Sequence, residues 1–505
     1  MIRCDKRAMA RTVSMPERMH ILMSIAVITA LIAFLTGMAW GREEIEDEVL
    51  NNAIVSELAF SEQVSSHLID VETVDGVVTL SGSVDNMLAK EQAIRITKSF
   101  KGVRSVIDKL NVRPVLRTDE DIADDVEIAF ALDPATESYE VDVSVDDGIV
   151  TLEGTVESWT ERKLAEDVAK GVKGVKEVRN EIDVTYDESR SDIEIKGEIE
   201  RRLELDPYVS GRMLNVYVKD GKVELKGTVG SSAEKTHAYN NAWVAGVEGV
   251  DDDAVVVDWL LNDELKKKAK VTFKGDLEIQ RDIEDAMLYD PRVHSFNIDV
   301  RVNEGIATLS GVVNNLKAKR VAEKNAQHTI GVKDVSNNIV VRPVVLPESS
   351  KLTEQVINAL ERDPIVERHE ITVISRNNKV YLYGKVDSHY EKLHAEDVVS
   401  RIWGVVEVEN NLEVYHTWNT KTDEEIEKDI ENQLFWSIYV DSSDIDVSVD
   451  NGVATLSGVV GTWSEFNAVL DNAFEGGARG VESHIRILEH PVDEEWYFGY
   501  YNYPW

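Results

Sequence analysis

The residue types able to do chemistry are few in this chain, and their spacing argues against most of it. His389 and His394 in "SHYEKLHAED", with His369 upstream, are the nearest approach to a metal-binding set. Five residues along a helix turns two side chains about 140° apart, a poor shared face for one ion. They read as solvated histidines. The serine of "LSG" (Ser81, Ser310, Ser457) would be a nucleophile only if its place were kept, and sister segments put Glu153, Lys226 and Tyr383 there. No reaction survives that exchange. Acidic runs such as "DEDIADDVE" (Asp119–Glu127) read as solvated helix faces, with divalent-ion binding at most unspecific. The chain has no Walker loop, zinc-type cysteine pair or EF-hand loop. Its one cysteine, Cys4, excludes an internal disulfide. Nothing forms a nucleophile, base and orienter set, so no catalytic, cofactor or metal residue is assigned.

Binding is better provided for. The formal net charge of −39 repels phosphate backbones and makes nucleic acid an unlikely partner. One basic cluster stands beyond the N-terminal leader: Lys266, Lys267, Lys268 and Lys270, behind Trp259, Leu260 and Leu261. It suits a semi-rigid hinge or a lipid-headgroup contact. The C-terminal "EEWYFGYYNYPW" carries seven aromatic rings, Trp496, Tyr497, Phe498 and Trp505 among them. Such a tail packs back on the last domain or docks on a membrane interface or another protein. Trp159 and Trp463 precede Thr160 and Ser464, which look like helix N-caps. That places each ring to staple onto its own helix, Trp159 against Leu164, or to touch lipid or a partner. Met87 and Leu316 fill the same slot elsewhere.

The elements that position these residues repeat. "GIVTLEGTV" (Gly148–Val156) has close relatives beginning at Gly76, Gly221, Gly305, Asn378 and Gly452. Their inner glycines, Gly82, Gly154, Gly227, Gly311, Gly384 and Gly458, step by 72, 73, 84, 73 and 74 residues. That period fits a string of small domains. Each copy starts with an amphipathic helix; Leu352, Val356, Ile357 and Leu360 show its spacing. Pro134, Pro207, Pro291 and Pro364, each after an aspartate, stop it. Next come an alternating strand, a turn such as Asp147-Gly148, the nonamer as returning strand, a second helix and a closing strand. Copy 5 carries Lys379 in place of the turn glycine. The order is α-β-β-α-β. Val150, Leu152, Gly154 and Val156 share the buried face of the nonamer, and the glycine is expected where a helix backbone comes close.

Before the repeats, residues 1–42 hold six Lys/Arg against two Asp/Glu, and Ile21–Gly41 has no charge. That run is long enough to span a bilayer with its basic flank in the cytoplasm. An uncleaved anchor and a cleaved signal both export the six repeats.

"DGxVxLxGxV", a helix, and then "GVxxVxNxIxV", as in "GVKEVRNEIDV" (Gly174–Val184), resemble the BON domain of bacterial envelope and osmotic-shock proteins. Copy 3 departs at "GVEGVDDDAVVV", without the asparagine, and copy 6 at "GARGVESHIRI". The resemblance implies an α+β fold of six tandem domains, each a three-stranded mixed sheet on two helices. The expected bounds are 43–116, 117–188, 189–258, 275–346, 347–418 and 419–489, with 259–274 a linker and 490–505 a tail. Strung end to end, they would make a rod tethered to the inner membrane by residues 21–41, or soluble in the periplasm after signal cleavage. The resemblance also implies a non-enzymatic role: contact with phospholipid membranes in support of envelope integrity or osmotic-stress tolerance. The alternative is a periplasmic chaperone or scaffold for envelope proteins.

Overall fold

Tight turns set the architecture. Asp75, Asp147, Asp220, Glu304, Asn377 and Asn451 all adopt φ near +50°, followed in five copies by a glycine at φ between +71° and +77°. This twist joins two antiparallel strands through a two-residue loop. In copy 5 the second turn position is Asn378, at φ +63°, so Lys379 is not in the turn but opens the next strand.

The computed structural model describes residues 45–488 apart from 62, 65–67, 134, 137–139, 187–189, 210–212, 261–273, 294–295, 345, 367–370 and 415–420. Copy 1 comprises α1 (Asp47–Phe60), β1 (Ile69–Val74), β2 (Val77–Val84), α2 (Met87–Lys98) and β3 (Ser105–Val112). Copy 2 comprises α3 (Asp119–Leu132), β4 (Glu140–Asp146), β5 (Ile149–Val156), α4 (Trp159–Lys170) and β6 (Glu177–Val184). Copy 3 has α5 (Asp192–Leu205), β7 (Leu214–Lys219), β8 (Lys222–Val229), α6 (Ser232–Asn241) and β9 (Gly249–Val257). Copy 4 has α7 (Asp276–Leu288), β10 (Ile298–Asn303), β11 (Ile306–Val313), α8 (Leu316–Gln327) and β12 (Asp334–Val341). Copy 5 has α9 (Ser349–Arg362), β13 (Ile371–Arg376), β14 (Lys379–Val386), α10 (His389–Ser400) and β15 (Glu407–Val414). Copy 6 has α11 (Asp423–Trp436), β16 (Ile445–Asp450), β17 (Val453–Val460), α12 (Trp463–Glu475) and β18 (Gly480–Ile487). In every copy the nonamer strand is central, antiparallel to the strand before it and parallel to the closing strand. Among the described residues no helix is long and apolar enough to cross a membrane. The apolar run 21–41 lies outside them.

The motif residues have local work. The second helix is capped in all copies by Asn86, Ser158, Ser231, Asn315, Ser388 or Thr462, whose side chain accepts the N–H three residues on. Thr160 and Ser464 are therefore not the caps; they stand inside the first turn. The asparagine of the closing motif ties strand to helix. Asn180, Asn337 and Asn410 donate to the carbonyls of Arg162 (2.8 Å), Lys319 (3.1 Å) and Lys392 (2.8 Å). Where copy 1 has Asp108 instead, Lys90 pairs with it at 2.8 Å. Copy 3, with its longer motif, breaks register opposite Glu224 and Lys226.

The inner glycines take φ between +108° and +147°. A Cβ on Gly154 would stand 2.0 Å from the carbonyl oxygen of Glu140; Gly82, Gly227 and Gly458 meet Leu68, Met213 and Asp444 at 2.0–2.1 Å, and Gly311 meets Asn297 at 2.6 Å. The intruding carbonyl belongs to the first residue of the partner strand at Glu140 and to the residue just before that strand in the other four, not to an α-helix as the strand pattern suggested. Gly384 shares the conformation at φ +128°.

The copies do not form a rod. In five copies the residue opening the second helix reaches into another copy, and in copy 3 the contact comes from Thr236, inside the helix. Met87 enters the core of copy 2, Trp159 lies parallel to Trp243 of copy 3 at 5.8 Å, and Thr236 of copy 3 bonds to Lys98 of copy 1 at 3.0 Å. The second half repeats the circuit: Leu316 enters the core of copy 5, His389 stacks on Phe474 of copy 6 at 3.8 Å, and Trp463 packs on the core of copy 4. Ion pairs run along the same seams, Lys170 with Glu91 and Lys317 with Asp397. The halves then join in pairs. Copy 1 meets copy 6 where Lys101 N–H donates to the Trp436 carbonyl (3.1 Å) and Ile438 N–H to the Ser99 carbonyl (3.0 Å). Copy 2 meets copy 5 through Lys173 N–H and the Arg362 carbonyl (2.7 Å), and copy 3 meets copy 4 through Arg201 with Asp282 (2.6 Å) and Asp285 (2.7 Å). Helices are thereby used inside, and the far faces of the sheets remain outside.

Candidate lipid-contact surface

The outer faces of the sheets differ between copies although their backbones match. At one central position the residues are Thr79, Thr151, Glu224, Thr308, Tyr381 and Thr455; two residues on they are Ser81, Glu153, Lys226, Ser310, Tyr383 and Ser457. Copy 5 alone presents two rings there. Tyr381 lies opposite Ile374, and Tyr383 opposite Thr372. The two rings are parallel within 2°, with centroids 6.5 Å apart. Tyr383 and Ile374 are 40% and 38% exposed. Lys379 sits 5.2 Å from the Tyr381 ring centroid and bonds to Glu407 (2.8 Å) and Glu409 (2.9 Å). Bonds to Glu407 and then Glu409 raise its ammonium above the usual lysine value. Arg376 is exposed at the end of β13 and Lys385 on β14. Apolar, aromatic and cationic groups thus share one plate with the carboxylates Glu407, Glu409 and Glu413 of β15, which balance its three cations.

Copy 3 carries a smaller version. Tyr217 is 53% exposed, with Lys226 5.3 Å from its ring and Lys219 and Lys222 exposed beside the turn. Copy 2 is the opposite extreme: Glu140, Asp142, Asp146, Glu153, Glu177, Glu181 and Asp183 are all exposed on its plate. That plate opposes an anionic surface.

The structure separates the residues proposed from sequence. Trp159 and Trp463 are half-buried in contacts between copies; Trp159 stacks on Trp243, and Trp463 packs both on the core of copy 4 and on Phe466 of its own helix, with ring centroids 4.9 Å apart. Trp259 is half-buried in a turn after β9. Lys266, Lys267, Lys268 and Lys270, and Trp496, Tyr497, Phe498 and Trp505, lie outside the described residues. His394 bonds to Asp363 at 2.8 Å, and His369 lies outside the described residues. Among the described residues no group of three or more His, Cys, Asp or Glu is placed to hold a metal. Tyr381 and Tyr383 were missed, although the signal was present: variation at the position before the inner glycine argues against a nucleophile, and equally marks the free outer face.

The BON domain profile matches residues 46–114, 118–186, 191–258, 275–343, 348–415 and 422–489. Osmotically-inducible protein Y of Escherichia coli (strain K12) is 33% identical over 145 residues, 27% of this chain and 72% of that protein. Outer membrane lipoprotein DolP of Haemophilus influenzae is 30% identical over 141 residues, 26% of this chain and 71% of that protein. The solved C-terminal domain of CdsD, the structural protein of the Type III secretion system of Chlamydia trachomatis, aligns with 45% of this chain and all of its own at 15% identity. Its TM-score of 0.12 is too low to carry an argument. With six matches spanning most of its length, each on an αββαβ unit, the chain belongs to the BON domain family.

Proposed function

We propose that this chain is a non-enzymatic envelope protein that contacts phospholipid surfaces in the periplasm and supports envelope integrity under osmotic stress. The names of its relatives, one osmotically inducible and one an outer membrane lipoprotein, support the setting. The basic leader and apolar run of residues 1–42 support export and tethering to the inner membrane. The observation that carries lipid contact is the copy 5 plate of Ile374, Tyr381 and Tyr383 ringed by Arg376, Lys379 and Lys385. Net charge opposes approach to anionic lipid, but only over about 8–10 Å at physiological salt. Contact is therefore local, and this plate supplies apolar and aromatic area within a charge-balanced rim.

Co-sedimentation of residues 43–505 with phosphatidylglycerol-containing liposomes, at low and high salt, tests the reading. Binding should survive moderate salt and fall at least tenfold when Tyr381 and Tyr383 take their sister identities, Tyr381→Thr and Tyr383→Ser. A protein left in the supernatant under every condition would instead favour the scaffold reading, in which the two edge strands of each sheet accept extended partner segments.

A further inference from the structure

Copies 1, 5 and 6 leave a cavity of about 280 Å³ where they meet. It lies between the C-terminal ends of α1 and α11, the helices α2 and α12, and the first turn of α10. The comparable seam of copies 2, 4 and 5 is filled by charge: Asp397 bonds to Lys317 and Arg401, and Arg401 also faces Asp133. The cavity wall is of another kind. Gln92, Gln433 and Asn472 are buried in it, beside the buried carboxyl of Glu57. The amide oxygen of Gln63 is buried there too and accepts no hydrogen bond from the described residues. Trp436 and Phe474 add aromatic carbon. Arg95, Leu393 and Asp471 line the same space and are exposed, so it is open to solvent.

This chemistry selects a ligand class. Gln92 Oε1 already accepts from Arg95 Nε at 2.8 Å and Gln433 bonds to Glu57, so the Gln92 amide N–H groups, Asn472 and the Gln63 oxygen are the groups placed to meet hydroxyls, while aromatic carbon matches the apolar face of a sugar ring. Burial, and then Glu475, push the Glu57 carboxyl up to about 8, so at neutral pH it is a donor rather than an anion. Asp471 and Glu475 stand against an anionic ligand, and because they would equally draw a cation, a cationic control belongs in the test. The volume is near the lower end of the roughly 300–1,000 Å³ typical of small-molecule sites. We propose that the cavity between copies 1, 5 and 6 binds a small polyhydroxylated molecule of one or two sugar rings.

The test is isothermal titration calorimetry of the full chain with glucose, maltose and trehalose, and with putrescine as the cationic control. The expected result is one saturable site for at least one sugar, weakened tenfold or more by Gln92→Met and by Gln433→Met. Hydrogen exchange on the unaltered chain keeps the test sharp should either variant fold poorly: the sugar should slow exchange in 431–439 and 468–475. No saturable sugar binding, unchanged affinity in folded variants, exchange unaltered in both segments, or a response to putrescine alone would each overturn the proposal.

Discussion

The carboxylate of Asp119, the first residue of α3, accepts the backbone N–H of Gly148 at 2.8 Å through one oxygen and that of Asp147 at 3.0 Å through the other. A helix start thus clamps the hairpin turn of its own copy. Asp47, Asp192, Asp276 and Asp423 repeat the pair of bonds in copies 1, 3, 4 and 6. The carboxylate also sits favourably at the positive end of the helix dipole. Copy 5 departs twice in one place, with Ser349 where the clamp would be and Asn378 where the turn glycine would be.

Restoring the clamp should therefore stabilise copy 5. Ser349→Asp is expected to add about 1 kcal/mol, in the range for a charge-assisted hydrogen bond at a partly exposed site. Asn378→Gly should add up to about 1 kcal/mol by relieving the left-handed conformation. Asp119→Asn should cost copy 2 about 1 kcal/mol. Urea midpoints of the three variants check all three signs.

Gly154→Val should destabilise by roughly 2–5 kcal/mol, combining overpacking with a strained φ. The damage should not stay in copy 2. Met87 of copy 1 is part of that core, and Trp243 of copy 3 rests on Trp159. Limited proteolysis should open copies 1 and 3 along with copy 2. Cleavage confined to 117–188 would show the copies to be independent.

The circuit of contacts fixes the size of the particle. X-ray scattering of residues 43–489 should give a radius of gyration of about 22 Å, the value for a compact chain of that length; a string of six such units would give on the order of 40–50 Å. Trp463→Ser removes the ring that packs copy 6 on copy 4. It should cost roughly 2–4 kcal/mol and raise the radius measurably.

Closure of copy 1 on copy 6 should weaken as pH rises. Folding raises the Glu57 carboxyl from 4.5 to about 8, chiefly by burial and then by Glu475, while Gln433 and Lys421 oppose the shift. The folded chain thus holds this proton more tightly than the unfolded chain. The contribution is fully present below pH 4.5 and is lost as pH climbs through 8, by at most about 1.4 kcal/mol per unit. Glu57→Gln should flatten that slope and be the more stable protein at pH 8.5. Urea midpoints of both proteins at pH 5.5 and 8.5 give the comparison.

The single copy was legible because its signals are local. Alternation marks the strands and Asp-Gly the turns, each through bonds between near neighbours, whereas the second-helix caps were read two residues late, at Thr160 and Ser464 in place of Ser158 and Thr462. The closure of six copies was not legible. Met87, Trp159, Leu316, His389 and Trp463 share a place but no chemistry, and each is satisfied by a residue in another copy. A tryptophan beside a cap reads as a staple until its neighbour is known to be Trp243. The inner glycine was legible as a buried close approach; which backbone approached depended on the partner strand. The copy 5 plate was hidden for a further reason: outward residues contribute little to folding, so no pattern demands them.

The outward position occupied by Thr79, Thr151, Glu224, Thr308, Tyr381 and Thr455 lies beyond the contacts that bind one copy to another. Exchanges at such places usually change stability by no more than about 0.5 kcal/mol. Recognition can then be rewritten one facet at a time while the interior stays fixed, as tiles are changed on a standing wall. Transplanting the copy 5 trio onto copy 2, as Ser144→Ile, Thr151→Tyr and Glu153→Tyr, should carry its surface chemistry to a second facet. Six facets on one body also allow weak contacts to act together, provided they can reach the same target.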